Sequence, residues 1–528
     1  MKTEPRDIWR EYEKGRDWNT SIDLYETVKK NEEFFLGDQW RGLNAPDLDK
    51  PVLNFMKRVV LYFVSQIVSD DVGISIKSMG KGRNVGSIEP DKVLTNEVEK
   101  TIEYAKITAK NRDIIRDAAV DGDGCLYLYF DGKRINAETV DNTRILFGNP
   151  FDLEVQDQPY IIIVKSMQLK AVRDWAEEIG ANPDDIMPDF EGYRESDDNA
   201  FGDDRVTVLT KFWKENGTVW FTTCTQNSVL KEPQDTGYRR YPLAYMVWDR
   251  VKNRYHGQAA VTGLIPNQIL VNKLWAMGSR HQQTNAFPKV FYDRTKILKW
   301  TNRVGEAIAV NGSPTDTVAM PFKSNDMSTQ VFEMVDRTVS MTRDFMGASD
   351  AALGNIRADN TSAIIAVQQA SSAPLELQRL AFYQFVEDYV RCIIDMITVD
   401  YGMRVVSYED DNVVADVTVD FSQYDIDDME LQIDVGEAAY WSELKQMQTL
   451  DNLYANGIIT DPLLYIDGIP GKYLRNKGKI IEKLQQMQQM PPPEMGADPG
   501  ESGVMQQDAL DQGQHRVELI QDRMAQEL

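Results

Sequence analysis

Apolar positions along the chain repeat with two different periods, and the alternation between them divides it into segments. Over residues 1–36, Tyr25, Val28, Phe35 and Leu36 predict the apolar side of one charged helix, ended by the glycine turn in FFLGDQWRG, Phe34 to Gly42. Phe55, Val59, Phe63 and Ile67 recur every four residues and predict a helix through VLNFMKRVVLYFVSQIVS. A further helix is expected from Lys92 to Val120. Period-2 patterns then take over: Leu126 to Phe130, a turn at Asp131-Gly132, and strands near Arg144–Phe147 and Tyr160–Val164. A helix is expected over Leu169–Ile179, an acidic loop over 182–204, and a hairpin from Val206–Trp213 to Thr218–Cys224 around Asn216-Gly217. Residues 100–250 thus read as α+β.

After Tyr255-His-Gly257 helices dominate. Thr262–Gln283 reads as one helix with Leu270, Leu274, Met277 and His281 on one side. His281 is a metal ligand on one reading and a packed or polar-face residue on the other. Short strands follow in FPKVFYD, EAIAV and TVAMPFKS, with a turn at Asn311–Pro314. Next comes a helix from about Asn325, whose Phe332, Val335, Val339, Thr342 and Met346 form a seam for a neighbouring helix. Gly347 is suited to a left-handed cap. The run from Gly347 through Ala348, Ser349, Asp350, Gly354, Asn355 and Arg357 to Asn360 is small and polar. A helix is expected to restart near Thr361, to kink at Pro374 and to continue with a stripe of Leu380, Tyr383, Val386, Val390, Ile394 and Ile397. Two helices flanking a short β excursion suggest an antiparallel pair with a small module at its tip. Beyond Tyr401, Asn412–Phe421 is expected to pair with Glu430–Val435. Helices over Ala438–Asn456 and Pro462–Met490 follow, then a linker from Pro491 and a final amphipathic segment.

Chemistry narrows the function by what is missing. Lys plus Arg at 58 against Asp plus Glu at 83 gives −25, which repels nucleic acid globally and argues against a sequence-specific DNA binder. Cys125, Cys224 and Cys392 form no CxxC pair and read as buried free thiols. His256, His281 and His515 have no zinc-site spacing. MGKGRNVGS fits neither a P-loop nor a dinucleotide turn. Asp121 and Asp123 resemble the start of a calcium loop, but Cys125 and Leu126 stand where ligand and turn residues should be, so a tight turn is expected. No GxSxG or cysteine-protease context occurs. The chain is therefore expected not to be an enzyme, with no catalytic residue, cofactor or metal; a carboxylate metal enzyme is the remaining alternative in that class. The most apolar early stretch, Val59–Val68, is too short for a membrane span, and the N-terminus lacks a signal-like apolar region.

With these segments in order, the chain resembles the portal proteins of tailed double-stranded DNA bacteriophages over roughly residues 30–480. The resemblance rests on FFLGDQWRG with KPVLNFMKRVV, AAVDGDGCLYLYFDG leading to FGNPFD, and YPLAYMVWDRVKNRYHGQAAVTGLIPNQILVNKL. MGASDAALGN followed by NTSAIIAVQQ completes it. It implies a mainly helical α+β portal fold with wing, stem, clip and crown, assembled as a ring, usually of twelve, around a central channel. On this chain, 1–255 would be the N-terminal helices and wing, 256–286 and 326–346 the stem helices, and 287–325 the clip. Residues 347–361 would form a tunnel loop, 362–436 the kinked helix and wing strands, 437–490 the crown, and 491–528 a flexible tail. The implied DNA-channel residues are Gly347, Ala348, Ser349, Asp350, Gly354, Asn355, Arg357 and Asn360, with Gly347 and Pro374 as hinge and kink. Arg357 touches phosphate on one reading and pairs with Asp350 or Asp359 on the other. The implied partners are further copies of the chain, the terminase large subunit, major capsid and scaffolding proteins, head-completion and tail adaptor proteins, and double-stranded DNA bound without sequence preference. No membrane partner is implied. The implied location is the portal vertex of the virion, after assembly in the host cytoplasm. An acidic lining would let DNA slide. The runner-up is another head–tail adaptor or minor capsid protein.

Overall fold

The first helical prediction resolves into two helices. α1 (Pro5–Ser21) carries a proline in its first turn, where the missing N–H leaves no bond unmade. α2 (Leu24–Leu36) follows once Asp23 takes a left-handed φ of 56°. The single helix expected over residues 1–36 is corrected accordingly. Leu36, expected on the apolar side, is exposed, whereas Phe34 and Phe35 are buried. The Lys92–Val120 helix divides in the same way into α4 (Pro90–Tyr104) and α5 (Ile107–Asp121) around Lys106, with φ of 54°. Lysine is a helix former that rarely takes this conformation, so the break at Lys106 was hidden, whereas aspartate takes it more often and the break at Asp23 carried a weak mark. A computed structural model describes residues 3–46, 48–68, 72–78, 90–189, 205–286, 289–297, 299–300, 308–313, 319–321, 329–348, 375–410, 413–424 and 429–435, together with parts of 447–483.

α3 (Phe55–Ile67) is as expected. The Asn54 side chain accepts from the Lys57 amide at its start, and Phe55, Val59, Phe63 and Ile67 are all buried. The glycine turn before it is present, with Gly37 at φ 102° closing α2.

Eight strands between Asp123 and Val247 make two antiparallel sheets. One has the order β3–β2–β9, from β2 (Asp123–Phe130), β3 (Ile135–Val140) and β9 (Leu243–Val247). The other runs β4–β5–β6–β7–β8 in sequence order: Ile145–Phe147, Ile161–Gln168, Arg205–Glu215, Thr218–Cys224 and Val229–Asp235. The hairpin predicted at Asn216-Gly217 is there, with both residues at positive φ (55° and 88°) as a two-residue primed turn requires. α6 (Leu169–Glu178) lies where a helix was expected.

The late strands pair differently from the expectation. β13 (Val413–Asp420) joins β12 (Met403–Asp410), while β14 (Met429–Val435) runs antiparallel to β1 (Val72–Ser78), from Val72↔Val435 to Ser78↔Met429. The predicted partnership of Asn412–Phe421 with Glu430–Val435 is therefore wrong. Local pattern favours sequence neighbours, and it carries no signal for a partner some 350 residues away.

The centre of the largest core is α9 (Glu376–Asp400). Its Phe382, Val386, Tyr389, Val390, Ile393 and Ile394 are each at most 1% exposed. These six fall on one broad face, and towards the end of the helix Cys392, Ile393, Ile394, Asp395, Met396 and Ile397 are buried in succession, as expected where a helix is enclosed by other elements. Of the predicted stripe, Val386, Val390, Ile394 and Ile397 are buried, but Leu380 is exposed. Burial of Asp395 is offset by the Arg239 and Arg240 amides, both of which donate to its Oδ2 at 2.8 and 2.9 Å.

The chain forms two compact units, Met1–Tyr408 with Val414–Glu443, and Glu409–Val413 with Leu444–Leu528. Within the second, residues 449–455 are helical and α10 (Pro462–Asp467) places Tyr465 against Tyr454, ring centroids 4.4 Å apart. Tyr465 also donates to Asp451 at 2.6 Å. The expected glycine-rich loop at 79–87, the linker from Pro491 and the final amphipathic segment lie outside the described residues.

Candidate functional site

α7 (Ala260–Ala286) and α8 (Gln330–Phe345) are the predicted helix pair. Twenty-seven residues make α7 about 40 Å long. Asn267 donates to the Thr342 hydroxyl at 3.0 Å, and the Trp275 ring meets Phe332 edge-on at 5.9 Å. Numbers rising on one helix meet numbers falling on the other, so the pair is antiparallel. The α8 seam is as predicted: Val335 and Thr342 are buried, and Val339 and Met346 pack partly against the core. The α7 side needs correction. Its buried positions include Val261, Leu264, Ile265, Gln268, Val271, Asn272 and Ala276; of the predicted side, Leu274 packs partly against the core, whereas Met277 is 60% exposed. His281 belongs to the polar face, its ring meeting the Asn285 side chain at 2.8 Å. The error arose because Gln268 and Asn272 are inside: Gln268 donates to the Leu53 carbonyl and to Asn272, and Asn272 accepts from the Leu53 amide.

Between the two helices, β10 (Val290–Tyr292) pairs antiparallel with β11 (Ala319–Pro321), as FPKVFYD and TVAMPFKS predicted. The described part of EAIAV, residues 308–310, is not a strand. Tyr292 stacks on Trp300 at 5.5 Å, and the Asp293 carboxylate accepts from the Thr295 amide and hydroxyl to close a tight turn.

α8 ends in a two-bond left-handed cap. Gly347 has φ of 73°, its amide donates to the Asp344 carbonyl at 3.1 Å, and the Ala348 amide donates to the Arg343 carbonyl at 2.9 Å. The cap that sequence assigned to Gly347 is therefore present, and Ala348 behind it is buried. The other predicted channel residues, Ser349, Asp350, Gly354, Asn355, Arg357 and Asn360, lie outside the described residues, as does Pro374. The exposed side of α8 carries Met334, Met341 and Phe345, spaced seven and four apart and 50%, 48% and 80% exposed. The acidic lining expected of this region is not carried by the pair. α7 has Lys273 and Arg280, and α8 has Arg337 and Arg343 against Glu333, Asp336 and Asp344, so 4 − 3 = +1.

A buried polar cluster holds the base of α7. Asp123, at the start of β2, accepts from the Gly257 amide at 2.6 Å and meets His256 Nδ1 at 2.7 Å. The other ring nitrogen of His256 lies 3.2 Å from Asn19 Oδ1 of α1, and the Tyr245 hydroxyl is 3.3 Å from Nδ1. Trp18 stacks near both Tyr255 and His256. A Cβ on Gly122, at φ 107°, would stand 2.7 Å from the Gly257 carbonyl oxygen, so only glycine fits there. The tight turn expected in DGDG is thus present, and its function is to receive the Tyr255-His-Gly257 segment. Sequence treated His256 as isolated, since its partners are some 130 and 240 residues away. Two residues before Asp123, at the end of α5, Asp121 is pushed up to about 8, first by burial and then by the Glu32 and Asp117 carboxylates. Among the described residues, no group of three or more His, Cys, Asp or Glu side chains is placed to hold a metal ion, and no helix is long and apolar enough to cross a membrane.

No family model matches the chain, and no curated protein matches it. Two similar solved structures come from gene transfer agent particles. One is the virion of a native particle, at TM-score 0.38 and 10% identity over 84% of this chain and 94% of that chain. The other is the neck of an empty particle, at TM-score 0.35 and 9% identity over 78% and 89%.

Proposed function

We propose that this chain is the portal subunit of a phage-type head: a structural, non-enzymatic protein that closes into a ring, of twelve copies by the family's habit, around a channel for double-stranded DNA. The observation that carries the reading is the antiparallel α7–α8 pair with the two-stranded β10–β11 sheet between its helices. Its outer side keeps Met334, Met341 and Phe345 in water in the single chain, and exposed apolar stripes of this kind mark contact surfaces. In this reading α7 and α8 are the stem, residues 287–325 the clip that meets terminase and later the adaptor proteins, and 1–255 with 362–436 the wing. Residues 437–490 are the crown, and 491–528 a tail. The segment 347–361 faces DNA, starting from the Gly347 cap. Terminase, a separate ATPase, would supply the work of packaging, and the ring would sit at the portal vertex of the virion.

Electron microscopy of the purified chain tests this directly: rings with a central hole are expected, and a chain that stays monomeric at every concentration refutes it. Deleting Ala348–Asn355 is expected to spare the rings and to impair packaging or retention of DNA. Normally filled heads from that deletion would remove the loop from the mechanism.

A further inference from the structure

A closed ring joins unlike faces, because each copy offers one surface to the neighbour on its left and another to the neighbour on its right. The described residues contain two exposed apolar patches with different charged borders. The first is the α8 stripe of Met334, Met341 and Phe345, about 16 Å long, flanked on one side by the exposed Glu333 and Asp344 against a single exposed Arg337. The second lies at the start of α3, where Val52, Leu53 and Leu61 are 40%, 39% and 55% exposed, and Lys57 and Arg58 are exposed one helical turn before Leu61. The two patches attach to α7 through different side chains: Asn267 and Trp275 hold α8, whereas Gln268 and Asn272 hold the Leu53 segment.

Resting on the ring reading above, we propose that these patches are the two halves of one heterologous contact. The Met334–Phe345 stripe of one copy packs on Val52, Leu53 and Leu61 of the next, with Glu333 and Asp344 facing Lys57 and Arg58. Apolar area supplies the contact. The charges set which faces meet and disfavour α8 against α8, where carboxylates would oppose carboxylates.

Two reversals test the pairing in the full-length protein. Glu333→Lys with Asp344→Lys is expected to raise the concentration for half-assembly at least about tenfold, and so is Lys57→Glu with Arg58→Glu. All four changes in one chain are expected to restore assembly to within about threefold. Each variant is first checked by circular dichroism and thermal melting, and the affected side chains are all exposed. A second measurement uses Leu61→Cys with Phe345→Cys, which under oxidation should give a ladder of covalently joined copies on a non-reducing gel. The natural cysteines are buried and stay out of it. Rings that survive either reversal, a fourfold variant that stays disassembled, or the absence of the ladder each overturn the pairing while leaving the ring itself intact. A wild-type chain that never forms rings overturns the functional reading as well, so the two failures are distinct.

Discussion

Removing Asp123 should loosen the base of α7. Its carboxylate is buried and satisfies the Gly257 amide, the His256 ring and, at 3.4 Å, the Asn142 side chain. Asp123→Ala leaves all three without the oxygen they face; a buried group left unsatisfied costs about 1–3 kcal/mol, and with several sharing the loss the total should be about 3–5 kcal/mol. Asp123→Asn keeps the shape and one oxygen for Gly257, so its cost should be about 1–2 kcal/mol, that of about one lost hydrogen bond. The unit that contains Asp123 has roughly 440 residues. At about 2.1 cal/mol/K per residue, its melting entropy is about 0.9 kcal/mol/K. The expected fall in melting temperature is therefore about 3–5 °C for Ala and about 1–2 °C for Asn, read by differential scanning calorimetry at one pH. Equal falls for the two variants, or an Ala variant within 1 °C of wild type, would refute the claim that this carboxylate holds the junction.

Asp121 gives a pH signature. Its folded-state value of about 8 lies above the ordinary carboxylate value, so the folded chain holds a proton that the unfolded chain releases, and stability should decline as pH rises from about 4 to about 8. Asp121→Asn should flatten that decline and gain on the order of a few kcal/mol at pH 9, with little change near pH 4; a gain at low pH would show the sign to be wrong. Gly347→Val forces a branched residue to φ 73° and should cost about 1–2 kcal/mol, seen as faster amide exchange over the last turn of α8. Unchanged exchange would mean that another bond holds that end. Cys125, Cys224 and Cys392 are buried with thiols made less acidic by burial, so none should react with a thiol reagent until the chain unfolds.

Local signals were legible wherever one residue type carries a local instruction. The four-residue spacing of α3, the Asn216-Gly217 turn and the Gly347 cap all lie where the letters put them. The Val335–Thr342 seam was readable for the same reason, since α8 has one dry face. α7 misled because its dry face includes Gln268 and Asn272, which hydrogen bonds make acceptable inside and which a count of apolar letters omits. The helix break at Lys106 was invisible because lysine is a helix former, while that at Asp23 carried only the weak mark of an aspartate ahead of an apolar run. The Asp123–His256 pair and the β1–β14 ladder depend on contacts far apart in sequence, to which a local pattern is blind. Of the residues named for the channel, Gly347 and Ala348 are placed, and their cap could be read from glycine alone.

The β1–β14 ladder also sets a timetable for synthesis. A ribosome adding about 5–20 residues per second needs roughly 20–70 s to travel from Ser78 to Val435. Until then, this ladder leaves one edge of Val72–Ser78 without its partner, and the central helix emerges only near the end of the same interval. A nascent chain therefore carries an open strand edge for most of its translation, and such edges invite pairing with the same strand of neighbouring chains. Chains translated close together are most exposed to that error. A chaperone acting on this protein would have to cover that edge until β14 arrives.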